Sequence, residues 1–104
     1  MAQHFAIRTR ATRPAMLSEG LNEHERESFG RHSAWLKGRV ADGAMIFVGR
    51  TLNTDGTGWA LGVIKAESEE AARAIMNDDP FVCDGVVTPE LFPFTVIAME
   101  PKNV

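Results

Sequence analysis

The order of two residue periodicities along the chain constrains its fold most. Alternating apolar and polar residues, or short apolar runs, are typical of strands, whereas apolar residues at steps of three and four are typical of helices. The segments with strand character are residues 5–10, 44–48, 59–66 and 94–99, and the two helical segments begin at Asn22 and Ser68. This order predicts an α+β fold of the ferredoxin-like type, βαββαβ, in a single domain over residues 1–104.

Both faces of the predicted sheet carry apolar side chains. The second strand is apolar throughout, and the last strand has Phe94 and Val96 on one face and Met99 on the other. Two helices cover only one face of a four-stranded sheet, and a broad exposed apolar surface usually marks a contact with another protein. In a chain of 104 residues the second cover must come from another copy. We therefore expect a homodimer packed sheet to sheet.

Composition narrows the classes of partner and the compartment. The net charge of −3 and the pI near 5.5 give no basic surface of the kind that nucleic acids require, so we expect no nucleic-acid partner. No apolar run resembles a signal peptide or a membrane span. The single cysteine, Cys83, cannot form an internal disulfide, which favours a reducing cytoplasm. We expect Cys83 to pack in the interior and not to act as a nucleophile.

The second helix must end at Asp79 because Pro80 disfavours a helical backbone in the residue before it. Asp78 and Asp79 then lie at the negative end of the helix dipole, which disfavours carboxylates. Another role should offset this cost. One alternative is that Asp79 caps a short helical turn that begins at Pro80, since Asp followed by Pro is a typical helix start. Capping uses one carboxylate oxygen and leaves the other oxygen free for a second partner.

His32 lies within the apolar stripe that Phe29, Leu36 and Val40 form on the first helix. We therefore expect the imidazole to be at least partly buried. A buried imidazole needs a hydrogen-bond partner for its ring N–H, and two partners are open. A backbone carbonyl would make His32 a structural core residue, whereas a carboxylate would orient it for proton transfer.

Three motifs together resemble the YciI-like (YCII-related) family of small bacterial proteins. They are His32-Ser33-Ala34-Trp35-Leu36, Asp79-Pro80-Phe81 after the second helix, and the stretch 85–94 that leads into the last strand. The resemblance implies a dimeric α+β barrel. It also implies that His32 and Asp79 form a catalytic pair that acts without a metal or other cofactor. The implied chemistry is acid or base catalysis, such as dehalogenation, isomerisation or lactone hydrolysis, on small aromatic or enol-like molecules.

Four aromatic residues and one arginine could form a pocket around this pair. Phe81, Trp35, Phe47 and Trp59 would wall it, and Arg50 would hold an anionic oxygen of the ligand. Each aromatic residue has the alternative role of a core residue. Arg50 stands where many members of the family have proline, so the rim of the pocket differs from theirs. The main alternative for the whole chain is a non-catalytic, dimeric module that binds a small molecule or assists another enzyme.

Overall fold

A computed structural model describes residues 2–103 and contains one antiparallel sheet with the order β2-β3-β1-β4. The strands are β1 (Gln3–Ala11), β2 (Met45–Arg50), β3 (Ala60–Ala66) and β4 (Val87–Phe94). The helices are α1 (Ala15–Glu19), α2 (Glu23–Ala41), α3 (Glu69–Asp78) and α4 (Pro80–Cys83), and a 3-10 turn covers Pro101–Asn103. This strand order and chain order confirm the predicted α+β ferredoxin-like fold.

The main core lies between one face of the sheet and the two long helices. Phe5 on the central strand β1 pairs with Ile64 on β3, and both side chains are at most 2% exposed. They pack in one cluster with Ala72 and Met76 of α3, and Trp35 of α2 packs against it. Because the residues of α2 and α3 meet the same side chains of the sheet, both helices cover the same face.

Both long helices begin where capping residues predict. Asn22 Oδ1 accepts from Glu25 N at 2.9 Å and Glu25 Oε1 accepts from Asn22 N at 2.8 Å, a reciprocal capping box at the start of α2. Ser68 Oγ accepts from Ala71 N at 3.1 Å at the start of α3. Each cap satisfies backbone donors that a helix start would otherwise leave unpaired.

The last strand lies earlier in the chain than predicted. We expected it at residues 94–99, but β4 covers Val87–Phe94 and residues 95–100 form no regular structure. The pairing explains the difference, because Phe94 already lies opposite His4 at the start of β1. Pro89 and Pro93 made this segment look unlike a strand. They are tolerated here because β4 is an edge strand of the sheet.

The apolar stripe predicted on α2 is only partly correct. Phe29 and Val40 are 49% and 51% exposed, whereas Glu25 and Ser28 on the same helix are buried. The buried face of α2 therefore includes polar side chains and excludes Phe29 and Val40. The helix α1 was not predicted at all, since five residues are too few to show a periodicity.

The face of the sheet opposite the helices exposes large apolar side chains. Phe47, Val63, Ala6 and Phe92 lie directly opposite one another on the four strands and so form one row across this face. Phe47 and Phe92, at the two ends of the row, are 46% and 41% exposed. Between them, Ala6 and Val63 are only 4% and 0% exposed, so the exposed apolar surface of the row lies on the two edge strands. We call this side of the sheet the uncovered face, because both long helices lie on the other side.

Candidate functional site

A cavity of about 190 Å³ lies between the covered face of the sheet and the helices. Its walls come from β1, β2 and β3 below, from α2 above, and from α1 and α4 at the sides. The lining residues include Ile7, Thr9, Met16, Leu17, Phe29, His32, Trp35, Leu36, Arg50, Trp59, Asp79 and Phe81. The lining is mostly apolar with a few charged or polar groups, which is typical of a site for a small organic molecule.

His32 and Asp79 meet at the wall of this cavity. The imidazole Nδ1–H donates to Asp79 Oδ1 at 2.7 Å, and the two side chains are only 16% and 11% exposed. His32 comes from the middle of α2, and Asp79 is the single residue between α3 and α4. The helices therefore bring together two residues that lie 47 positions apart.

The capping role that we considered for Asp79 is also present. Asp79 Oδ1 accepts from Phe81 N at 3.0 Å, and Pro80 occupies the first position of α4. The same oxygen thus receives both the backbone N–H and the imidazole. Because Asp79 has an extended backbone (φ −63°, ψ 123°), it ends α3 and begins α4 at one residue.

The orientation of the His32 ring is fixed from two sides. Its plane stacks on the Phe81 ring with a centroid distance of 4.0 Å and an angle of 8°, while Asp79 holds Nδ1. Since a carboxylate accepts hydrogen bonds, this contact favours the tautomer with the proton on Nδ1 and a lone pair on Nε2. Within residues 2–103, no side chain or backbone group bonds to Nε2. This nitrogen can accept a proton from a molecule in the cavity.

The structure places most of the predicted pocket residues around this pair. Trp35, Arg50, Trp59 and Phe81 all line the cavity together with His32 and Asp79. Phe47 does not, and its predicted place in the pocket is wrong. A bulge between Met45 and Phe47 shifts the register of β2, so that Phe47 lies opposite Val63 on the uncovered face.

Sequence analysis missed the residues that α1 contributes. Met16 and Leu17 line the cavity from this helix of five residues. Pro14 directly before this helix is the one local signal that could have indicated it, since a proline often marks a helix start. Arg13 holds the segment in place, because its guanidinium donates to Gly20 O at 2.8 Å and to the Glu25 carboxylate at 2.7 and 2.9 Å. The Arg13 guanidinium lowers the pKa of buried Glu25 below its ordinary value.

Polar side chains of α2 bond to the segment 78–84 along a line that we call the polar seam. Three of its contacts are Trp35 Nε1 to Asp78 Oδ2 at 3.0 Å, His32 to Asp79, and Ser28 Oγ to Pro80 O at 3.4 Å. Farther along, His24 Nε2 donates to Asp84 O at 3.1 Å and Arg31 pairs with the Asp84 carboxylate. The Ser28 hydroxyl and the Arg31 guanidinium lower the pKa of Asp84.

Cys83 lies outside the cavity. The packing role that we predicted for it is wrong, because the residue is exposed and its Sγ donates to Asn77 O at 3.0 Å. No three side chains of the His, Cys, Asp or Glu type cluster within residues 2–103 in a way that could hold a metal ion. None of the helices in this described range has the length and apolar character needed to cross a lipid bilayer.

Comparison with known proteins identifies the family and similar folds. The model of the YCII-related domain family matches residues 5–95. Among solved structures, the chain is similar to 5-chloro-2-hydroxyhydroquinone dehydrochlorinase (TftG) from Burkholderia phenoliruptrix AC1100 in complex with 2,5-dihydroxybenzoquinone. The two are 22% identical over 88% of this chain and 93% of that one, with a TM-score of 0.61. The cofactor-independent oxygenase SnoaB from Streptomyces nogalater is 16% identical over 96% and 97%, with a TM-score of 0.46. No curated protein matches the chain by sequence.

Proposed function

This chain belongs to the YCII-related domain family, and from that premise we propose that it is a small cofactor-independent enzyme. Its chemistry is acid or base catalysis on a small aromatic or enol-like molecule. His32 transfers the proton, and Asp79 orients its ring. The observation that carries the proposal is the 2.7 Å contact between these side chains at the wall of a cavity that can hold a small molecule.

The proposed step starts with the substrate in the cavity and the lone pair of His32 Nε2 directed toward it. Nε2 takes a proton from a C–H or O–H group of the substrate, and Asp79 stabilises the resulting imidazolium through Nδ1–H. In a dehydrochlorination, the electron pair left on the substrate expels chloride, so the net change is loss of one proton and one chloride. No electrons are exchanged with a second reactant.

Arg50 and the aromatic walls support this chemistry. Arg50 lines the cavity, and its permanent positive charge would stabilise an enolate or phenolate oxygen that develops during proton removal. Trp35, Trp59 and Phe81 also line it and offer flat apolar surfaces to a ring. A planar, oxygen-bearing molecule fits this combination of groups better than a flexible aliphatic one.

The volume of the cavity is sufficient for a single-ring substrate. An apolar cavity of roughly 150 Å³ holds one benzene ring, and the cavity here measures about 190 Å³. A single ring with a few small substituents therefore fits. The similar dehydrochlorinase has been solved with 2,5-dihydroxybenzoquinone, which is a single-ring compound. We propose substrates of this class.

A substitution of His32 tests the proposal. With 5-chloro-2-hydroxyhydroquinone as the trial substrate, we expect His32→Gln to lower chloride release about 10²-fold to 10⁴-fold. Binding of 2,5-dihydroxybenzoquinone, followed by the fluorescence of Trp35 and Trp59, should change little. The control is His4→Gln on β1, a residue that does not line the cavity. Quinone binding by the wild-type protein without turnover of any single-ring substrate would instead favour a non-catalytic binding module.

We also propose that the chain forms a homodimer through the uncovered face of the sheet. The row of Phe47, Val63, Ala6 and Phe92 runs across all four strands, and its two phenylalanines are more than 40% exposed. Burying the two phenylalanines against a second copy removes their apolar surface from water. The single exposed thiol of Cys83 suits a reducing compartment, so we propose a cytoplasmic location.

A further inference from the structure

We propose that Gly62 is a specificity-determining residue, because its missing side chain leaves room in the floor of the cavity for a substituted ring. This inference deepens the proposed function and rests on the cavity being the ligand site. The ligand class is a flat single ring that carries polar substituents, such as a dihydroxyquinone. A side chain at position 62 would occupy part of the space that such a ligand needs.

Gly62 lies within β3, an internal strand of the sheet. It is paired with Ile7 on β1 and with Val48 on β2, and all three residues line the cavity. Successive residues of a strand point to opposite faces, so a side chain at position 62 would lie on the same face as Ile64, which belongs to the main core. Gly62 therefore forms part of the cavity floor on the covered face of the sheet.

Glycine is an unfavourable residue at such a position. It loses more conformational freedom on folding than other residues and has no side chain to pack, so it weakens the interior of a strand. A positive φ would require glycine, but the glycines with positive φ lie elsewhere in the chain. A bulge would be another reason, but the irregularity in this part of the sheet lies in β2, between Met45 and Phe47. Neither backbone requirement explains Gly62.

Close packing does not explain the glycine either. A Cβ at position 62 would have Met45 Cε as its nearest neighbour at 3.6 Å, which is an ordinary contact distance. Gly58 shows the opposite case, since a Cβ there would come within 2.9 Å of Leu17 Cδ1 and 3.2 Å of Asn53 O. Packing thus disfavours a side chain at position 58 and tolerates one at position 62.

A further reason for a glycine inside a strand is the close approach of a ligand. The flat face of an aromatic or quinone ring can lie on the bare backbone at Gly62, where a side chain would hold the ring away. Met45 borders the same space with a flexible thioether, which adapts to the shape of its neighbours. The cavity floor thus keeps space for the ligand although this lowers the stability of the strand.

Gly62→Ala tests the inference because its effects on stability and on binding should have opposite signs. The added methyl group restricts the unfolded chain and meets no clash, so the melting temperature should equal that of the wild type or rise by about 2–8 °C. Titration calorimetry should show binding of 2,5-dihydroxybenzoquinone weakened about tenfold or more, the scale that one carbon group sets in an apolar pocket. Phenol is smaller and should lose less affinity.

Two further variants complete the test. Gly62→Val places a larger side chain in the same space and should weaken quinone binding more than Gly62→Ala does. The matched control is Gly49→Ala on the neighbouring strand β2, because Gly49 does not line the cavity and a Cβ there would meet nothing within 4 Å. This control should leave quinone binding unchanged.

Unchanged quinone binding in both variants of Gly62 would overturn the inference, as would equal losses of affinity for the quinone and for phenol. A melting temperature of Gly62→Ala well below that of the wild type would also overturn it, because packing and not the ligand would then require glycine. So would failure of the wild-type protein to bind the quinone. Failure of the proposed catalysis alone would appear differently, as the expected binding pattern with no chloride release by the wild-type enzyme.

Discussion

Two substitutions of Asp79 separate its capping role from its role beside His32. The carboxylate oxygen Oδ1 accepts both the Phe81 N–H at 3.0 Å and the His32 Nδ1–H at 2.7 Å. Asp79→Ala removes both acceptor contacts. Asp79→Asn keeps a side-chain oxygen that can accept both, but it removes the negative charge. The two variants should therefore differ in stability and agree in activity.

The magnitude follows from the two bonds. Loss of an N-cap acceptor costs about 1 kcal/mol, and loss of the partner of a buried imidazole costs about 1–2 kcal/mol more. Asp79→Ala should thus lower the free energy of unfolding by about 2–3 kcal/mol, which corresponds to roughly 10–20 °C in the melting temperature of a domain of this size. Asp79→Asn should cost less than about 1 kcal/mol. Both should reduce turnover about 10²-fold or more, because neither leaves a charge to stabilise the imidazolium.

Urea unfolding followed by tryptophan fluorescence measures these differences, with all variants at one protein concentration because dimer formation would make stability concentration-dependent. Chloride release measures turnover. The reasoning would be refuted if Asp79→Asn were as unstable as Asp79→Ala, since the charge and not the acceptor oxygen would then hold the turn. It would also be refuted if Asp79→Ala unfolded within about 0.5 kcal/mol of the wild type, because the cap would then contribute little.

Two further predictions concern the rest of the molecule. In the folded protein, Arg13 lowers the pKa of Glu25 below its ordinary value of about 4.5. The ionised Glu25 carboxylate therefore stabilises the fold above the unfolded pKa, and this stabilisation is lost as the pH falls through the folded pKa. Glu25→Gln should be less stable than the wild type at pH 7 and should lose less stability between pH 5 and pH 3. Urea midpoints measured across that range test this, and parallel plots of midpoint against pH for the two proteins would contradict the role of Glu25. For the proposed dimer, Phe92→Glu on the uncovered face should yield a monomer by light scattering, while Thr54→Glu in the exposed loop should not; a dimeric Phe92→Glu protein would argue for another interface.

Local signals made the helix starts and the order of the elements predictable. Asn22 and Ser68 cap the first turns of α2 and α3 through bonds that span three residues, so the information lies within each short segment. The position of β4 was not predictable in this way. Its ends are set by pairing with β1, from His4 opposite Phe94 to Ala11 opposite Val87. The apolar residues beyond Phe94 therefore have the pattern of a strand but are not paired with β1.

The wrong prediction that Phe47 lines the pocket has a similar cause. Strand residues alternate between faces, and one inserted residue moves every later side chain to the opposite face. The bulge between Met45 and Phe47 is such an insertion, and an apolar run such as 44–48 gives no sign of where it falls. Arg50, after the bulge, does reach the cavity. Its position could be assigned from the pairing with Ala60 but not from the sequence of β2 alone.

The polar seam explains why α2 buries a face that its apolar periodicity did not indicate. Ser28, His32 and Trp35 follow one another at steps of four and three, and they bond in reverse order to Pro80, Asp79 and Asp78. Such steps along a helix advance about 4.5–6 Å, while successive residues of a non-helical segment advance at most about 3.6 Å. The partners can therefore match only over a few residues, here Asp78, Asp79 and Pro80 at the junction of α3 and α4.

This match accounts for two adjacent carboxylates at a helix end that electrostatics disfavours. Each carboxylate receives one ring N–H from α2. Replacing Asp79 by an apolar residue would leave the Nδ1–H of His32 without its acceptor at a partly buried position. A shift of α2 by one residue relative to the junction of α3 and α4 would break these three contacts of the seam at once. The position of His32 beside Asp79 is thus determined by the register of a whole interface, and substitutions at Ser28 or Asp78 should affect the pair although neither residue touches it.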